Sequence, residues 1–145
     1  MTDLIAAIQA IAEKKEFYGE LPNANAQATT IAENCGDLSG MQLHVENGRI
    51  ANIGYVNYGC GYSMAAHTLV CALAKGRSLA QARAIKAQQV ADSAGGFPDH
   101  KFHYCEKAVG LLNKTIDFYE AQAGNGQLDK AAFDANREVK CGWKY

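Results

Sequence analysis

One dipeptide constrains the fold of this chain more than any other feature: Asn47-Gly48 stands between two stretches that are typical of β-strands. Before it, apolar and polar side chains alternate over residues 41–45, and after it residues 50–58 are rich in β-branched and aromatic side chains. Asn-Gly is the pair that tight hairpin turns prefer. We therefore predict an antiparallel hairpin, joined by a third strand near residues 29–33.

The rest of the chain carries the spacing of apolar side chains that is typical of amphipathic helices. Residues 3–18 predict an N-terminal helix, and further helices are predicted to end at glycines or to begin at a cap such as Ser78. These later helices are predicted at 61–75, 79–85, 88–94 and 104–122. The order indicates an α+β fold, in which a small three-stranded antiparallel sheet packs against helices on one face.

The length of 145 residues fits a single domain with a sizeable core. We predict that this domain comprises residues 1–123, including the N-terminal helix. Residues 124–145 are predicted to form a C-terminal extension with one extra short helix at 127–140, because a Gly-Asn-Gly linker separates them from the long helix.

Charge and hydropathy exclude several classes of function. The chain has 14 Lys and Arg against 15 Asp and Glu, so it lacks the basic excess of a nucleic-acid-binding protein. Its apolar stretches are too short to span a bilayer. The N-terminal apolar run has no basic residues before it, so it does not resemble a secretory signal. We expect a cytoplasmic protein that binds neither membranes nor nucleic acid.

The chain has an odd number of cysteines, which argues against a disulfide framework in a reducing compartment. The five are Cys35, Cys60, Cys71, Cys105 and Cys141. Cys71 lies in a predicted helix among alanine, leucine and valine, where a free thiol behaves as a small apolar side chain. We therefore assign Cys71 to the core.

Two other cysteines are predicted to stand at the starts of helices. Cys60 has a glycine on each side, where a strand ends and a helix begins, and Cys105 begins the last long helix. A helix N-terminus stabilises negative charge and therefore favours a thiolate. We expect exposed, partly ionised thiols, which are the form that binds metals or attacks sulfur.

Three thiols, one carboxylate and one imidazole form a candidate metal site. Cys35, Cys60 and Cys105 fall at the ends of predicted elements in three separate loops, with Asp37 just after the first and His103 just before the last. Such a donor set suits a tetrahedral site for zinc or an iron–sulfur cluster. The fold must bring the three loops together, because the spacing is not that of a zinc finger.

Three stretches together resemble a known family. The tetrapeptide "NCGD" at 34–37, residues 50–86 and the "HYC" helix start at 103–105 resemble, in this order, the U-type iron–sulfur cluster assembly scaffolds of the IscU/NifU N-terminal family. The resemblance runs from about Ala28 to Tyr119. It implies a scaffold, not an enzyme, that accepts sulfur from a cysteine desulfurase, binds iron and passes a labile 2Fe–2S cluster to apo-proteins.

The resemblance also implies roles for individual residues. Asp37 matches an aspartate that favours a labile cluster or ligates zinc, and His103 and Lys101 match residues around the third family cysteine. The three family cysteines correspond to Cys35, Cys60 and Cys105. We hypothesise that Cys105 or Cys35 accepts the sulfur, and that Zn²⁺ can occupy the same pocket in the isolated protein.

The chain departs from the family at its third cysteine. The family pairs histidine and cysteine directly, whereas Tyr104 separates His103 from Cys105 here. An alignment without gaps puts Tyr104 where the cysteine belongs, and one position on a helix rotates a side chain by about 100°. Either a one-residue insertion in the preceding loop restores Cys105 to the site, or the third ligand is altered.

Two further departures lie elsewhere. The segment that a dedicated chaperone recognises in the family is reduced to "FPDHK" at 97–101, which only weakly indicates a chaperone as a partner. The segment before Cys35 and the tail after Gly124 do not resemble the family. We interpret Cys141, in that tail, as a spare surface thiol, with a fourth sulfur ligand as the alternative.

Two other functions remain open from the sequence. One is a zinc-dependent sulfurtransferase that only relays a persulfide. The other is a metal-binding interaction module of the same fold, in which the His-Tyr-Cys change at 103–105 has abolished cluster chemistry.

Overall fold

A computed structural model describes residues 2–31, 38–57 and 60–123. The predicted helix at 127–140 and the candidate residues Cys35, Asp37 and Cys141 lie outside these ranges. The described elements are α1 (Thr2–Lys14), β1 (Ala26–Ile31), β2 (Leu38–Glu46), β3 (Arg49–Asn57), α2 (Gly61–Ala74), α3 (Leu79–Arg83), α4 (Ala87–Ser93), a 3₁₀ turn (Asp99–Lys101) and α5 (His103–Ala123). The predicted α+β class is confirmed.

The three strands form one antiparallel sheet in the order β1-β2-β3. The predicted hairpin is confirmed: β2 and β3 are joined by Asn47 and Gly48, whose φ angles are 54° and 75°. Positive φ at both turn positions is the geometry that favours Asn-Gly. The first strand begins at Ala26, three residues earlier than predicted.

The sheet has one face toward the helices and one toward the connection between α1 and β1. On the helical face, α5 packs on β1 and β2, and α2 packs on β3. The buried side chains on this face are Ala26, Ala28, Met41, Leu43, Ile53 and Tyr55. On the opposite face Gln42 Oε1 accepts a hydrogen bond from the Leu21 N–H at 2.7 Å. Residues 17–19 run along the free edge of β3, where a Cβ atom on Gly54 would come within 2.9 Å of the Gly19 carbonyl oxygen.

Helix α2 is held at its C-terminal end by hydrogen bonds to β3. Gly76, with φ of 85°, ends the helix as predicted, and its N–H donates to the Ile50 carbonyl at 2.7 Å. The Ile50 N–H donates in turn to the Arg77 carbonyl at 2.9 Å. Ser78 then caps α3, since its Oγ accepts a hydrogen bond from the Gln81 N–H at 3.1 Å. These contacts fix the direction in which α2 presents its other end.

The long helix α5 buries a continuous stripe of side chains. The stripe consists of Cys105, Ala108, Leu111, Leu112, Thr115 and Ile116. The predicted face included Leu112 and Ile116, which are buried, and also Val109 and Tyr119, which are only half-buried. The helix was thus predicted correctly, but its buried face is rotated from the predicted one. Among the described helices, none is both long and apolar enough to cross a membrane.

Candidate functional site

Cys60 is an exposed thiol at the N-terminus of α2. The strand β3 ends at Asn57, and Cys60 has the extended backbone of an N-cap residue, with φ of −79° and ψ of 173°. Its carbonyl accepts a hydrogen bond from the Met64 N–H at 3.1 Å, which starts the helix. The side chain is exposed and forms no capping hydrogen bond with the described residues. The predicted position and exposure of Cys60 are confirmed.

Cys105 lies in the core. Its side chain has 0% exposure, because it is the first member of the buried stripe of α5. Burial raises the pKa of the thiol from 9.0 to about 11, and the adjacent Glu106 carboxylate adds to this increase. The expectation of an exposed, partly ionised thiol at Cys105 is therefore wrong in this structure. The loss of hydration outweighs the favourable field of the helix N-terminus.

Cys71 is confirmed as a core residue. It is fully buried in the middle of α2, and burial raises the pKa of its thiol strongly. Cys71 and Cys105 are therefore buried thiols whose pKa values are raised, whereas the Cys60 thiol is exposed.

The N-terminal turns of α2 and α5 are linked by a lysine between two aromatic rings. The Nζ atom of Lys101 lies 5.1 Å from the ring centroid of Tyr62 and 5.9 Å from that of Tyr104. The exposed His103 ring lies 4.1 Å, between centroids, from Tyr104. Tyr62 follows Cys60 by two residues, so these side chains surround the same corner of the fold. We call Tyr62, Lys101 and Tyr104 the lysine–tyrosine cluster.

Tyr62 and Tyr104 were not predicted as parts of a site. Tyr62 was missed because aromatic residues in a helix are usually assigned to the core, although it follows Cys60 in the first turn of α2. In the sequence Tyr104 stands out only because it separates His103 from Cys105. Lys101 entered the prediction through the family resemblance alone.

Two predicted ligands cannot be placed. Cys35 and Asp37 lie outside the described residues, so the approach of the three loops stays a prediction. Within the described ranges, no group of three or more histidine, cysteine, aspartate or glutamate side chains is arranged to hold a metal ion. Cys60 and His103 do offer an exposed sulfur and an exposed imidazole, which are donors that iron and zinc accept.

The NifU-like N terminal domain model matches residues 9–125 of the chain. The chain belongs to this family. The match begins at Gln9 within α1 and includes every later described element, so the expectation that the segment before Cys35 departs from the family is wrong. The tail after Gly124 lies almost entirely beyond the match, as predicted.

Named relatives of this NifU-like chain are scaffold proteins. It is 35% identical over 91 residues to "Iron-sulfur cluster assembly scaffold protein IscU" of Haemophilus influenzae, covering 62% of this chain and 71% of that protein. It is 30% identical over 112 residues to "Iron-sulfur cluster assembly scaffold protein IscU 1" of Archaeoglobus fulgidus, covering 77% of this chain and 72% of that protein.

The fold of the NifU-like chain is also found in solved structures. The N-terminal part of a NifU-like protein from Brucella abortus superimposes with a TM-score of 0.50 and 21% identity, covering 83% of this chain and 82% of that one. At this identity the likeness establishes a shared fold alone. The predicted membership of the IscU/NifU N-terminal family is confirmed by the family match and the sequence relatives.

Proposed function

We propose that this protein is a scaffold on which an iron–sulfur cluster is assembled and from which the cluster is passed to apo-proteins. The observation that carries the proposal is the exposed Cys60 thiol at the N-cap of α2, in a chain whose relatives are named as cluster assembly scaffolds. The cluster is cargo in this proposal, so the site must release it as well as bind it.

The proposed donors are sulfur, oxygen and nitrogen atoms. Cys35, Asp37, Cys60 and His103 would hold the iron, whereas the Cys105 thiol is buried in this structure. Mixed thiolate, carboxylate and imidazole ligation suits a labile 2Fe–2S cluster, because a hard carboxylate binds softer iron–sulfur cargo less firmly than a thiolate does. The same donors would accept Zn²⁺ in protein isolated without cluster.

Sulfur would arrive from the persulfide of a cysteine desulfurase. An acceptor thiolate attacks the terminal sulfur, a new S–S bond forms on the scaffold, and the desulfurase cysteine leaves as a thiolate. This exchange needs a thiol that another protein can reach. Cys35 remains a candidate acceptor from the sequence, and the exposed Cys60 joins it. The buried Cys105 does not meet this requirement in its present position.

Packing also limits how much of the weak chaperone motif at 97–101 a partner protein can reach. Phe97 is buried, with its ring centroid 6.3 Å from that of Tyr62, so an incoming partner meets only the rest of the segment. We propose that chaperone recognition is a minor property of this chain. We also propose a cytoplasmic protein with a scaffold domain at 1–123 and an extension at 124–145.

Reconstitution under anaerobic conditions tests the function. The full chain is incubated with ferrous iron, cysteine, a cysteine desulfurase and a dithiol reductant that converts persulfide sulfur to sulfide, and iron, acid-labile sulfide and visible absorption are measured. We expect a visible band that depends on the desulfurase, and its loss in Cys60→Ala. Cys71→Ala, which removes a core thiol, is the matched control and retains the band.

The opposite results point to the other functions. A folded wild-type protein that forms no band and holds no acid-labile sulfide contradicts the scaffold proposal. If it then binds zinc stoichiometrically and accepts persulfide sulfur, the sulfurtransferase function replaces it. If the protein neither binds zinc nor accepts sulfur, the function of an interaction module replaces the scaffold proposal.

A further inference from the structure

We propose that α5 presents Tyr104, and not Cys105, to the site beside Cys60, so that α5 contributes no thiolate to the iron–sulfur cargo. The inference rests on the proposed function, but its first test below does not depend on cluster formation.

The inward direction of Cys105 follows from the helix itself. Cys105 precedes Ala108 and Leu112 by three and seven residues, and all three are buried. Residues at this spacing share one face of a helix, because the Cα–Cβ directions are set by the backbone. A change of rotamer at Cys105 therefore leaves the sulfur on the buried side. Turning the face outward would also expose Leu112 and Ile116.

The direction of Tyr104 is different by one step along the helix. One residue corresponds to a rotation of about 100°, which takes Tyr104 out of the buried stripe. Its ring contacts the exposed His103 and lies near the Lys101 ammonium. The same ammonium lies over Tyr62, in the first turn of α2. Tyr104 and Tyr62 thus share one ammonium, and from this we infer that Tyr104 lies on the side of α5 toward the end of α2 where Cys60 stands.

The consequence is a weaker site. Thiolates are the donors that hold iron–sulfur clusters most firmly, and a phenol side chain at this position supplies none. The cargo should therefore leave this chain more readily than it would leave a site to which α5 adds a thiolate. A thiol placed at position 104 should supply that sulfur.

The first test compares the cysteines in the native wild-type protein. The full chain is alkylated with iodoacetamide, and mass spectrometry follows each cysteine over time. We expect Cys60 to react at least about tenfold faster than Cys105, because only exposed thiols react readily. Cys71, equally buried, is the matched control and should react as slowly as Cys105. Equal rates at Cys60 and Cys105 would overturn the inference.

The second test uses variants in the reconstitution described above. Cys105→Ala should keep iron and acid-labile sulfide within about twofold of the wild type, because no cluster ligand is removed. Tyr104→Cys should slow the loss of cluster to a chelator by about tenfold, since it adds a thiolate. Tyr104→Phe retains the ring without adding sulfur, and should release cluster at the wild-type rate.

The outcomes separate the two proposals. A folded Cys105→Ala protein that loses its cluster as Cys60→Ala does, or a Tyr104→Cys protein that gains no retention, contradicts the assignment of Tyr104 to the site and leaves the scaffold function standing. Failure of the wild type to form any cluster contradicts the scaffold function. If the wild type forms no cluster, or if the Cys105→Ala variant does not fold, the alkylation rates of the wild-type protein still decide whether Cys105 is accessible.

Discussion

The Lys101 ammonium lies 5.1 Å from the centre of the Tyr62 ring, which ties the turn before α5 to the first turn of α2. Lys101 is half-buried, so the ammonium is partly removed from water. A cation over an aromatic face is attracted by the charge distribution of the ring, and more strongly when it is desolvated. This contact holds together the two helix ends around the exposed Cys60 thiol.

Removing the Lys101 ammonium should lower the stability of the protein slightly without unfolding it. We expect Lys101→Ala to lower the free energy of unfolding by about 0.5–1 kcal/mol, the usual range for an accessible cation–π contact. Lys101→Arg keeps a cation over the rings and is the control. Urea denaturation measures both variants. A loss equal in the two would contradict the cation–π assignment.

A methyl group on Gly54 should strain the sheet. The added Cβ would lie 2.9 Å from the Gly19 carbonyl oxygen and 3.4 Å from that of Phe17, both backbone atoms. We expect Gly54→Ala to destabilise the fold by about 1–3 kcal/mol, as overpacking does elsewhere. The matched control is Gly110→Ala in α5, where no described atom outside the adjacent residues and the helix's own backbone lies within 4 Å of the new Cβ.

The Gly110 variant should behave in the opposite way. Alanine is the better helix former, so Gly110→Ala should be neutral or stabilising by up to about 1 kcal/mol. Thermal unfolding of both variants gives the comparison. Equal stability of the two would show that residues 17–21 do not lie against β3 as described.

Tyr55 should make stability depend on pH in alkaline solution. Burial raises the pKa of its phenol from 10.0 to about 12, although the hydroxyl also bonds Thr68 Oγ1 at 2.7 Å. The folded protein therefore holds this proton more tightly than the unfolded chain does. The resulting stabilisation is complete below pH 10 and is lost as the pH rises toward 12.

Tyr55→Phe isolates this effect. Below pH 10 the variant should be less stable by about 1 kcal/mol, because it lacks the buried hydrogen bond. Above pH 10 its stability should fall less steeply than that of the wild type. The buried Cys71 and Cys105 thiols titrate in both proteins, so they cancel in the difference. Parallel curves for the two proteins would be incompatible with a buried Tyr55 phenol.

Arg83 joins α3 to α5 by two ion pairs at the surface. Its guanidinium lies 2.6 Å from an Asp117 carboxylate oxygen and also binds Glu120. Both acids are exposed, so water and salt weaken the attraction. We expect Arg83→Ala to cost less than about 1 kcal/mol, with the difference shrinking in high salt.

The control for Arg83 is Arg83→Lys, which keeps the charge and loses the fork of donors. It should recover part of the stability, since a lysine can bind one carboxylate at a time. Urea denaturation at low and high salt measures both variants. A large, salt-independent loss would mean that Arg83 stabilises the protein by packing instead of by charge.

Local rules predicted part of this structure well. The hairpin followed from Asn47-Gly48, because the turn chemistry and the strand pattern agree at that point. Cys60 followed from its flanking glycines, which mark the change from strand to helix. Both features depend on neighbours in the sequence, so the sequence alone was sufficient.

The error at Cys105 has a simple physical origin. A position near a helix N-terminus predicts an ionised thiol only when the side chain points toward solvent, and the Cys105 side chain points into the core. Counting back from the correctly assigned Leu112 in steps of four and three residues leads through Ala108 to Cys105, which places the thiol on the buried face. The periodicity of α5 therefore contained the answer.

The lysine–tyrosine cluster could not be predicted in this way. It forms because two helix ends, far apart in the chain, approach each other around Lys101. No periodicity in either helix encodes that approach. The same reason applies to the meeting of Cys35 and Asp37 with Cys60, which stays a prediction.

At the N-cap position of α2, the side chain that best stabilises the helix differs from the side chain that sulfur chemistry requires. Serine, aspartate and asparagine are the residues that best satisfy the free amides at such a position, typically by about 1 kcal/mol over a side chain that cannot. The Cys60 side chain makes no such bond with the described residues. A substitution at Cys60 that improves the helix cap would thus remove the one exposed thiol among the described residues. Selection for stability alone would therefore eliminate the side chain that the proposed sulfur chemistry needs.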